Sequence, residues 1–216
     1  MMTTGLFGND ASDERLAIGQ DAFVLRGYAL SCADELLAAI GDIEAAAPFR
    51  HMVTPGGFTM SVALTNCGAL GWTSDAHGYR YRAVDPGTGR PWPAMPALFA
   101  RLARDAAFAA GFDGFTPDAC LVNRYRPGSR LSLHQDKDER DFSSPIVSVS
   151  LGMAATFLFG GRKRGDRVAR VPLEHGDVVV WGGADRLRYH GVAPVKDRPH
   201  PLLGSQRINL TLRRAG

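Results

Sequence analysis

The sequence contains few cysteines and no long apolar segment, and both absences exclude whole classes of protein. Its three cysteines, Cys32, Cys67 and Cys120, are an odd number without paired spacing, which is not the pattern of a disulfide framework. No apolar run approaches the roughly 18 residues of a membrane-spanning helix, and residues 1–30 lack the basic start and apolar core of an export signal. We therefore expect a cytoplasmic protein with reduced thiols and no membrane partner.

The chain also lacks a strong excess of either charge. Its 216 residues carry a formal net charge of +3, with 22% charged and 45% hydrophobic residues. This composition is typical of one globular domain with a substantial core. The weak positive charge permits a nucleic-acid partner without requiring one. We expect a monomer.

The chain divides into a short N-terminal segment and one domain. Residues 1–20 are polar and contain glycine, which predicts a flexible segment. Residues 21–216 form the domain. Within it, residues 21–115 carry two predicted helices, and residues 116–216 carry closely spaced strand patterns.

Residue patterns predict a mainly β fold with flanking helices. Apolar residues recur at helical spacing over residues 33–47 and 97–110. Residues 66–96 lack periodicity and are predicted to be a long ordered loop, a feature that is usually functional. Strands are predicted at residues 22–28, 52–65 (a hairpin), 119–125, 130–134, 145–151, 156–159, 168–173, 178–181, 186–189 and 206–213. The last eight, separated by polar turns, are typical of a jelly roll.

Residues 131–139 carry the most specific chemical pattern. Alternation along a strand places Leu131 and Leu133 on one face and His134 and Asp136 on the other. One imidazole and one carboxylate, joined by a distant second histidine, form the facial triad that holds Fe(II) and leaves positions open for O2. The pair alone is weak evidence, because a polar turn after a strand has the same residues.

A second H-x-D pair, His175 to Asp177, is interpreted as structural. It leads into the apolar residues 178–181 and is therefore expected to start a strand. The candidates for the third ligand are His51, His77, His190 and His200. His190 is favoured because it follows a predicted strand and precedes a glycine, although a loop histidine would fit the same context.

The C-terminal strand pattern places Arg207, Asn209, Thr211 and Arg213 on one face and apolar residues on the other. An edge strand with a solvated face would show the same alternation. Two arginines facing the inside of a barrel would instead bind a carboxylate through charge-assisted bonds of about 1.5 to 3 kcal/mol each. A dicarboxylate beside Fe(II) suggests 2-oxoglutarate.

Taken together, these positions resemble those of the AlkB family of Fe(II)- and 2-oxoglutarate-dependent dioxygenases, which repair alkylated nucleic-acid bases. The resemblance runs from about Phe49 to Arg213. It is carried by the motifs at residues 52–57, 65–68, 91–96, 117–120, 147–152 and 174–183. The family's fold, the double-stranded β-helix, is thereby implied, with residues 21–115 as a nucleotide-recognition region and 116–216 as the jelly-roll core.

The resemblance also implies the activity and the residues that serve it. The implied reaction is oxidative demethylation of 1-methyladenine and 3-methylcytosine in DNA, preferably single-stranded, with double-stranded DNA and RNA as further partners. It consumes 2-oxoglutarate and O2 and gives succinate, CO2 and formaldehyde. The implied iron ligands are His134, Asp136 and His190, and the implied 2-oxoglutarate contacts are Asn123, Tyr125, Arg207, Asn209 and Arg213.

Five residues are implied to bind the substrate: Trp72, Tyr79, Tyr81, Asp138 and Arg164. Aromatic rings would stack on a base taken out of its helix, and Asp138 would accept a hydrogen bond from the exocyclic amine and favour a cationic methylated ring. Anchoring of a loop to the core is an equally simple role for Tyr81. The basic run at residues 162–164 is either a phosphate contact or a solvated turn.

Two other functions fit parts of the pattern. A related oxygenase could act on RNA or on protein side chains, but Trp72, Asp138 and the basic run favour nucleic acid. A non-enzymatic jelly-roll binding module would have no use for Arg207 and Arg213 on one face.

Overall fold

The computed structural model describes residues 15–216. Residues 1–14, most of the segment predicted to be flexible, lie outside the described residues. Arg15–Ala17 pairs as an antiparallel strand with Ala22–Leu25, so regular structure begins before the predicted domain boundary at residue 21. As expected, the described chain is mainly β with two helices.

Eight strands form one large antiparallel sheet. In spatial order they are β1 (Arg15–Ala17), β2 (Ala22–Leu25), β12 (Val178–Trp181), β9 (Ile146–Gly152), β14 (Arg207–Arg213), β7 (Ala119–Tyr125), β4 (Thr59–Gly68) and β3 (Arg50–Val53). The C-terminal strand β14 lies in the middle, between β9 and β7. Its polar face is buried, so the edge-strand interpretation of its alternating pattern is wrong.

A smaller sheet of four strands faces the large one. Its spatial order is β11 (Ala169–Leu173), β10 (Ala155–Phe159), β13 (His190–Val192) and β8 (Leu131–His134). Side chains from both sheets pack together: Phe157 and Phe159 of β10 contact the cluster that contains Trp181 of β12 and Ile146 of β9. Two antiparallel sheets enclosing a shared core are the jelly-roll arrangement that the strand pattern predicts.

Two helices cover the outer face of the large sheet. Helix α1 (Ala33–Ala46) and helix α2 (Ala97–Ala109) pack their apolar faces on the side of the sheet that carries Leu210 and Val149. Because successive side chains of a strand alternate, the opposite face of β14 points into the space between the sheets. Neither helix among residues 15–216 has the length and apolar character needed to cross a bilayer.

Two sequence-based predictions are wrong in detail. Residues 66–96 are not a continuous loop, because β5 (Gly71–Asp75) and β6 (Gly78–Arg82) form a separate hairpin with a tight turn ending at Gly78, whose φ is 119°. Residues 186–189 are not a strand. They follow a short 3-10 helix, Gly183–Asp185, and the amide of Arg188 bonds back to Asp185, so the strand begins at His190.

The second H-x-D pair is structural, as predicted. The Asp177 carboxylate accepts hydrogen bonds from the amides of Gly27 and Glu174 at 2.9 Å each, and His175 accepts one from the amide of Gly152 at 3.0 Å. These bonds fix the turn that leads into β12.

Candidate active site

Three side chains with metal-ligating atoms converge between the sheets. His134 ends β8 and lies directly opposite His190, the first residue of β13, while Asp136 follows two residues after His134. Their ligand atoms all lie within 4.8 Å of one another. Nε2 of His134 is 3.6 Å from Oδ1 of Asp136, and Nε2 of His190 is 3.6 Å from Oδ2. The described residues contain no other cluster of this kind.

Hydrogen bonds set both imidazoles to present Nε2 to the centre of the cluster. Nδ1 of His134 bonds the carbonyl oxygen of Ser132 at 2.9 Å, and Nδ1 of His190 bonds that of Arg188 at 3.0 Å. A carbonyl can only accept, so each Nδ1 carries the proton and each Nε2 keeps a free lone pair. Burial, helped by the neighbouring His134, lowers the pKa of His190 and keeps its ring neutral, the form that binds a metal.

The carboxylate of the cluster is held ionised. Burial alone would raise the pKa of Asp136, but the Arg213 guanidinium outweighs it and holds that pKa well below its ordinary value. Arg213 donates to Oδ2 of Asp136 from Nη2 at 2.7 Å and from Nε at 3.0 Å. Arg213, implied by the resemblance to contact 2-oxoglutarate, thus bonds the metal-binding carboxylate in the described structure. Two imidazoles and one carboxylate suit Fe(II).

A second polar group lies deeper in the same space, around Arg207. Its side chain is buried, and Nη2 donates to Oγ of Ser150 at 2.9 Å. Within the described chain, Nε and Nη1 are buried without a hydrogen-bond partner. Burial lowers the pKa of Arg207, because the cation has lost water without gaining an anion. Two unpaired guanidinium donors in a buried position fit a bound carboxylate.

The other residues predicted to contact 2-oxoglutarate surround this arginine. The ring of Tyr125 lies 5.0 Å from the Arg207 guanidinium. Asn123 donates to Asn209 at 3.3 Å across the paired strands β7 and β14, and its own Oδ1 has no partner among the described residues. The sequence prediction thus identified residues that meet in space, although it missed Ser150, which alternates with apolar residues just as Ser148 does and so looks like an ordinary polar residue of a strand.

One cavity of about 930 Å³ joins the metal-ligating cluster, the Arg207 group and an opening to the surface. That volume lies at the upper end for small-molecule sites, so it accommodates more than one small ligand. Four of the five predicted substrate residues line it: Trp72, Tyr79, Asp138 and Arg164. The fifth, Tyr81, is not among the lining residues.

The aromatic residues of the opening come from the β5–β6 hairpin. Trp72 stacks on Tyr79 with ring centroids 5.5 Å apart and an angle of 15° between the planes. Nε1 of Trp72 donates to Oδ2 of Asp138 at 2.8 Å. Arg164 and Tyr189 also line the cavity, and the Arg164 guanidinium lies 5.4 Å from the ring of Tyr189.

Tyr81 contacts a buried acid instead of lining the cavity. Its hydroxyl donates to Oε1 of Glu139 at 2.7 Å. This location agrees with the simpler role considered for Tyr81, that of anchoring the loop. Sequence reasoning missed Glu139 and its partner Arg186, because a buried acid beside a run of charged residues looks like any other solvated residue.

Comparisons with known proteins agree with this geometry. Residues 22–213 match the family model of the 2OG-Fe(II) oxygenase superfamily. The chain is 59% identical over 211 residues to the alpha-ketoglutarate-dependent dioxygenase AlkB of Salmonella typhimurium, covering 97% of each chain. It is 59% identical over 203 residues to the Escherichia coli protein of the same name, covering 94% of this chain and 93% of the relative.

Solved structures show the same architecture. The structure of OsALKBH1 superposes with a TM-score of 0.82 at 28% identity, covering 93% of this chain and 99% of the other. These matches confirm the predicted double-stranded β-helix and the predicted cofactors, Fe(II) and 2-oxoglutarate, with O2 as oxidant. The chain belongs to the AlkB family of 2-oxoglutarate- and Fe(II)-dependent dioxygenases.

Proposed function

We propose that this dioxygenase removes methyl groups from 1-methyladenine and 3-methylcytosine in nucleic acid, with single-stranded DNA as the preferred substrate. Oxidative demethylation of alkylated bases is the activity that the near-full-length similarity to bacterial AlkB supports. The observation that carries the proposal is the continuity of one cavity. It connects the ligand cluster around Asp136 to an opening lined by an aromatic ring, Trp72, and a carboxylate, Asp138.

The metal and its co-substrate would be held by two adjacent groups of side chains. His134, Asp136 and His190 offer three ligand atoms to Fe(II), and Arg207 offers two unpaired donors to the distal carboxylate of 2-oxoglutarate. When bound, Fe(II) and 2-oxoglutarate supply the oxidising chemistry, in which O2 is consumed, succinate and CO2 are formed and the methyl group is hydroxylated. The hydroxymethyl amine then releases formaldehyde and the repaired base.

The residues at the opening would select and orient the base. A base must leave its stack to reach a ligand cluster between two sheets, and stacking on an aromatic ring such as Trp72 returns roughly 1 to 3 kcal/mol of that cost. Asp138 accepts a hydrogen bond from an exocyclic amine and attracts a ring made cationic by N-methylation. A side chain without charge would give no such preference.

The phosphate backbone would lie along a basic turn beside the opening. The turn between β10 and β11 carries the exposed residues Arg162, Lys163, Arg164 and Arg167, and Arg170 is exposed at the start of β11. Arg164 also lines the cavity, so the turn is within reach of a strand whose base enters it. A cluster of cations favours a polyanion over a protein side chain. RNA would satisfy the same contacts. The enzyme is proposed to act as a monomer on both DNA and RNA.

Aerobic incubation with Fe(II), ascorbate and 2-oxoglutarate tests the proposal. Oligonucleotides of single-stranded DNA, duplex DNA and RNA, each with one 1-methyladenine or 3-methylcytosine, are compared with unmethylated controls. We expect loss of one methylene mass and release of formaldehyde, fastest with single-stranded DNA, and none with His134→Ala. Succinate formation with every methylated oligonucleotide left intact would refute the proposed substrate class.

A further inference from the structure

A buried acid lies behind the ligand cluster, and the reaction described above gives it no role. Glu139 follows Asp136 by three residues, and its side chain is only 2% exposed. An ionised acid at that depth is costly unless it is paired. Its surroundings supply three polar partners: Arg186, Arg213 and Tyr81.

The two arginines that contact Glu139 are the same two that hold Asp136. Arg213 bonds the Asp136 carboxylate, as described above, and its Nε also lies 3.4 Å from Oε1 of Glu139. Arg186 donates from Nη1 to the backbone carbonyl oxygen of Asp136 at 2.8 Å, and its Nη2 lies 3.2 Å from Oε2 of Glu139. Asp136 is therefore fixed at its side chain by one arginine and at its backbone by the other, and Glu139 fixes both.

The charges of this group balance only when Glu139 is included. Two guanidinium groups face two carboxylates, all with side chains at most 10% exposed. Without the Glu139 charge, two cations would face one carboxylate, and Arg213, which bonds that carboxylate, would compete more strongly with a divalent cation for it. In a poorly solvated site such an imbalance is weakly screened. Removal of the acid should therefore weaken metal binding, although Glu139 is not a ligand.

The third partner links this group to the substrate side. Tyr81 lies on β6, directly opposite Trp72 on β5, and its hydroxyl donates to Glu139 at 2.7 Å. Burial holds the pKa of Tyr81 well above its ordinary value, so the hydroxyl keeps the proton that it donates. The hairpin that presents Trp72 is thus bonded to the acid that fixes both arginines.

We propose that Glu139 is a positioning residue for the metal-binding carboxylate of Asp136, and that the Tyr81 hydroxyl couples it to the β5–β6 hairpin. The inference rests on the iron site of the proposed function and is independent of the nucleic acid that the enzyme repairs. It predicts two measurable effects: a loss of metal affinity when Glu139 is neutralised, and a loss of communication between the metal site and the hairpin when the hydroxyl is removed.

Mn(II), which is stable to air, serves as the probe for the first effect. Glu139→Gln keeps the shape of the side chain and an oxygen for Tyr81, but removes the charge. We expect the dissociation constant for Mn(II), measured by calorimetric titration, to rise about tenfold, as is typical when a group that orients a metal ligand is changed. Asp141→Asn is the matched control, because this exposed acid on the same segment bonds Ser143. Wild-type affinity in folded Glu139→Gln would overturn the inference.

Hydrogen exchange of residues 71–82 measures the second effect, the coupling between the metal site and the hairpin. It also tests the proposal if Glu139→Gln does not fold. In the wild type, Mn(II) with 2-oxoglutarate is expected to slow exchange in the hairpin. Tyr81→Phe should abolish this response, whereas His77→Ala, at the exposed turn of the same hairpin, should retain it. An unchanged response in Tyr81→Phe would show that the coupling does not exist. Neither readout uses nucleic acid, so a wrong substrate class would leave both results unaffected.

Discussion

Replacement of Arg207 with lysine is expected to weaken the binding of 2-oxoglutarate by one to two orders of magnitude. In the described structure, the guanidinium is buried beside Tyr125 and bonds Ser150 with Nη2, while Nε and Nη1 are unpaired. Lysine keeps the positive charge but has a single nitrogen, so it cannot donate two parallel bonds to one carboxylate. The substitution therefore removes a bond and not the charge.

The size of the effect follows from the bond that is lost. A hydrogen bond to a charged group contributes about 1.5 to 3 kcal/mol. Each 1.4 kcal/mol corresponds to about tenfold in a dissociation constant, so the loss of one bond should raise that for 2-oxoglutarate about 10- to 150-fold. The ligand cluster is not altered by the substitution, and the affinity for Mn(II) alone should stay at the wild-type value.

The assay is an anaerobic titration of the Mn(II)-loaded protein with 2-oxoglutarate and, separately, with 2-oxobutanoate, which lacks the distal carboxylate. Wild-type protein should prefer 2-oxoglutarate strongly, and Arg207→Lys should lose most of that preference. Arg124→Lys is the matched control, since Arg124 lies on the neighbouring strand and bonds Glu44 on the outside of the sheet. Equal weakening of both ligands in Arg207→Lys would refute the assignment of the distal carboxylate to Arg207.

Three further predictions concern the substrate and the stability of the fold. Arg164→Ala should weaken single-stranded DNA binding, with the salt dependence reduced by about one counterion, and leave 2-oxoglutarate affinity unchanged; an unaltered salt dependence would contradict the phosphate contact. Asp138→Asn should lower kcat/KM for 1-methyladenine about 10- to 150-fold while succinate formation without DNA continues, because one charge-assisted bond is lost; equal losses in both rates would contradict this. Asp85 has a lowered pKa because its bonds to Arg50 and to the amide of Gly87 outweigh its burial. Its contribution to stability is therefore present above the unfolded-state carboxyl pKa of roughly 4 and is lost as the pH falls through the lower folded-state value. Urea unfolding between pH 7 and pH 3 should show a smaller loss for Asp85→Asn than for the wild type, and parallel curves would contradict the assignment.

The sequence was most informative where a residue's role depends on its own strand. Alternation alone placed His134 with Asp136, and Arg207 with Arg213, on common faces. In the structure both pairs face the cavity, although β8 ends at His134 and Asp136 follows it outside the strand. It left open whether the polar face of β14 is buried, because burial depends on β9 and β7, which flank it from distant parts of the chain. The identity of the third ligand also depends on distant parts of the chain, because His190 is brought to His134 only by the pairing of β13 with β8.

Other features could not be read from a pattern. The β5–β6 hairpin gives only a weak strand pattern, because β5 contains one large apolar residue, Trp72, and only Tyr79 and Tyr81 alternate with charged residues in β6. The direction of Tyr81 depends on a buried acid at residue 139, which has no distinguishing neighbour in sequence. The sequence could not show whether Arg213 contacts the co-substrate or Asp136. In the fold, Nη2 of Arg213 lies 2.7 Å from Oδ2 of Asp136, a residue distant in sequence. Contacts of this kind are decided by tertiary packing.

The hydrogen bond between Trp72 and Asp138 bears on how damaged and undamaged bases are distinguished. In the described structure, Oδ2 of the carboxylate proposed to read the base accepts the bond from the indole N–H. An ionised carboxylate has two oxygens and about four acceptor positions, so this bond orients Asp138 and leaves its second oxygen available to an exocyclic amine. The proposed stacking ring and the proposed acceptor are thereby held in one arrangement before a base arrives. An unmethylated base is neutral and gains an ordinary hydrogen bond there, whereas a methylated base is a cation and gains a stronger, charge-assisted one, so the arrangement discriminates in favour of the lesion.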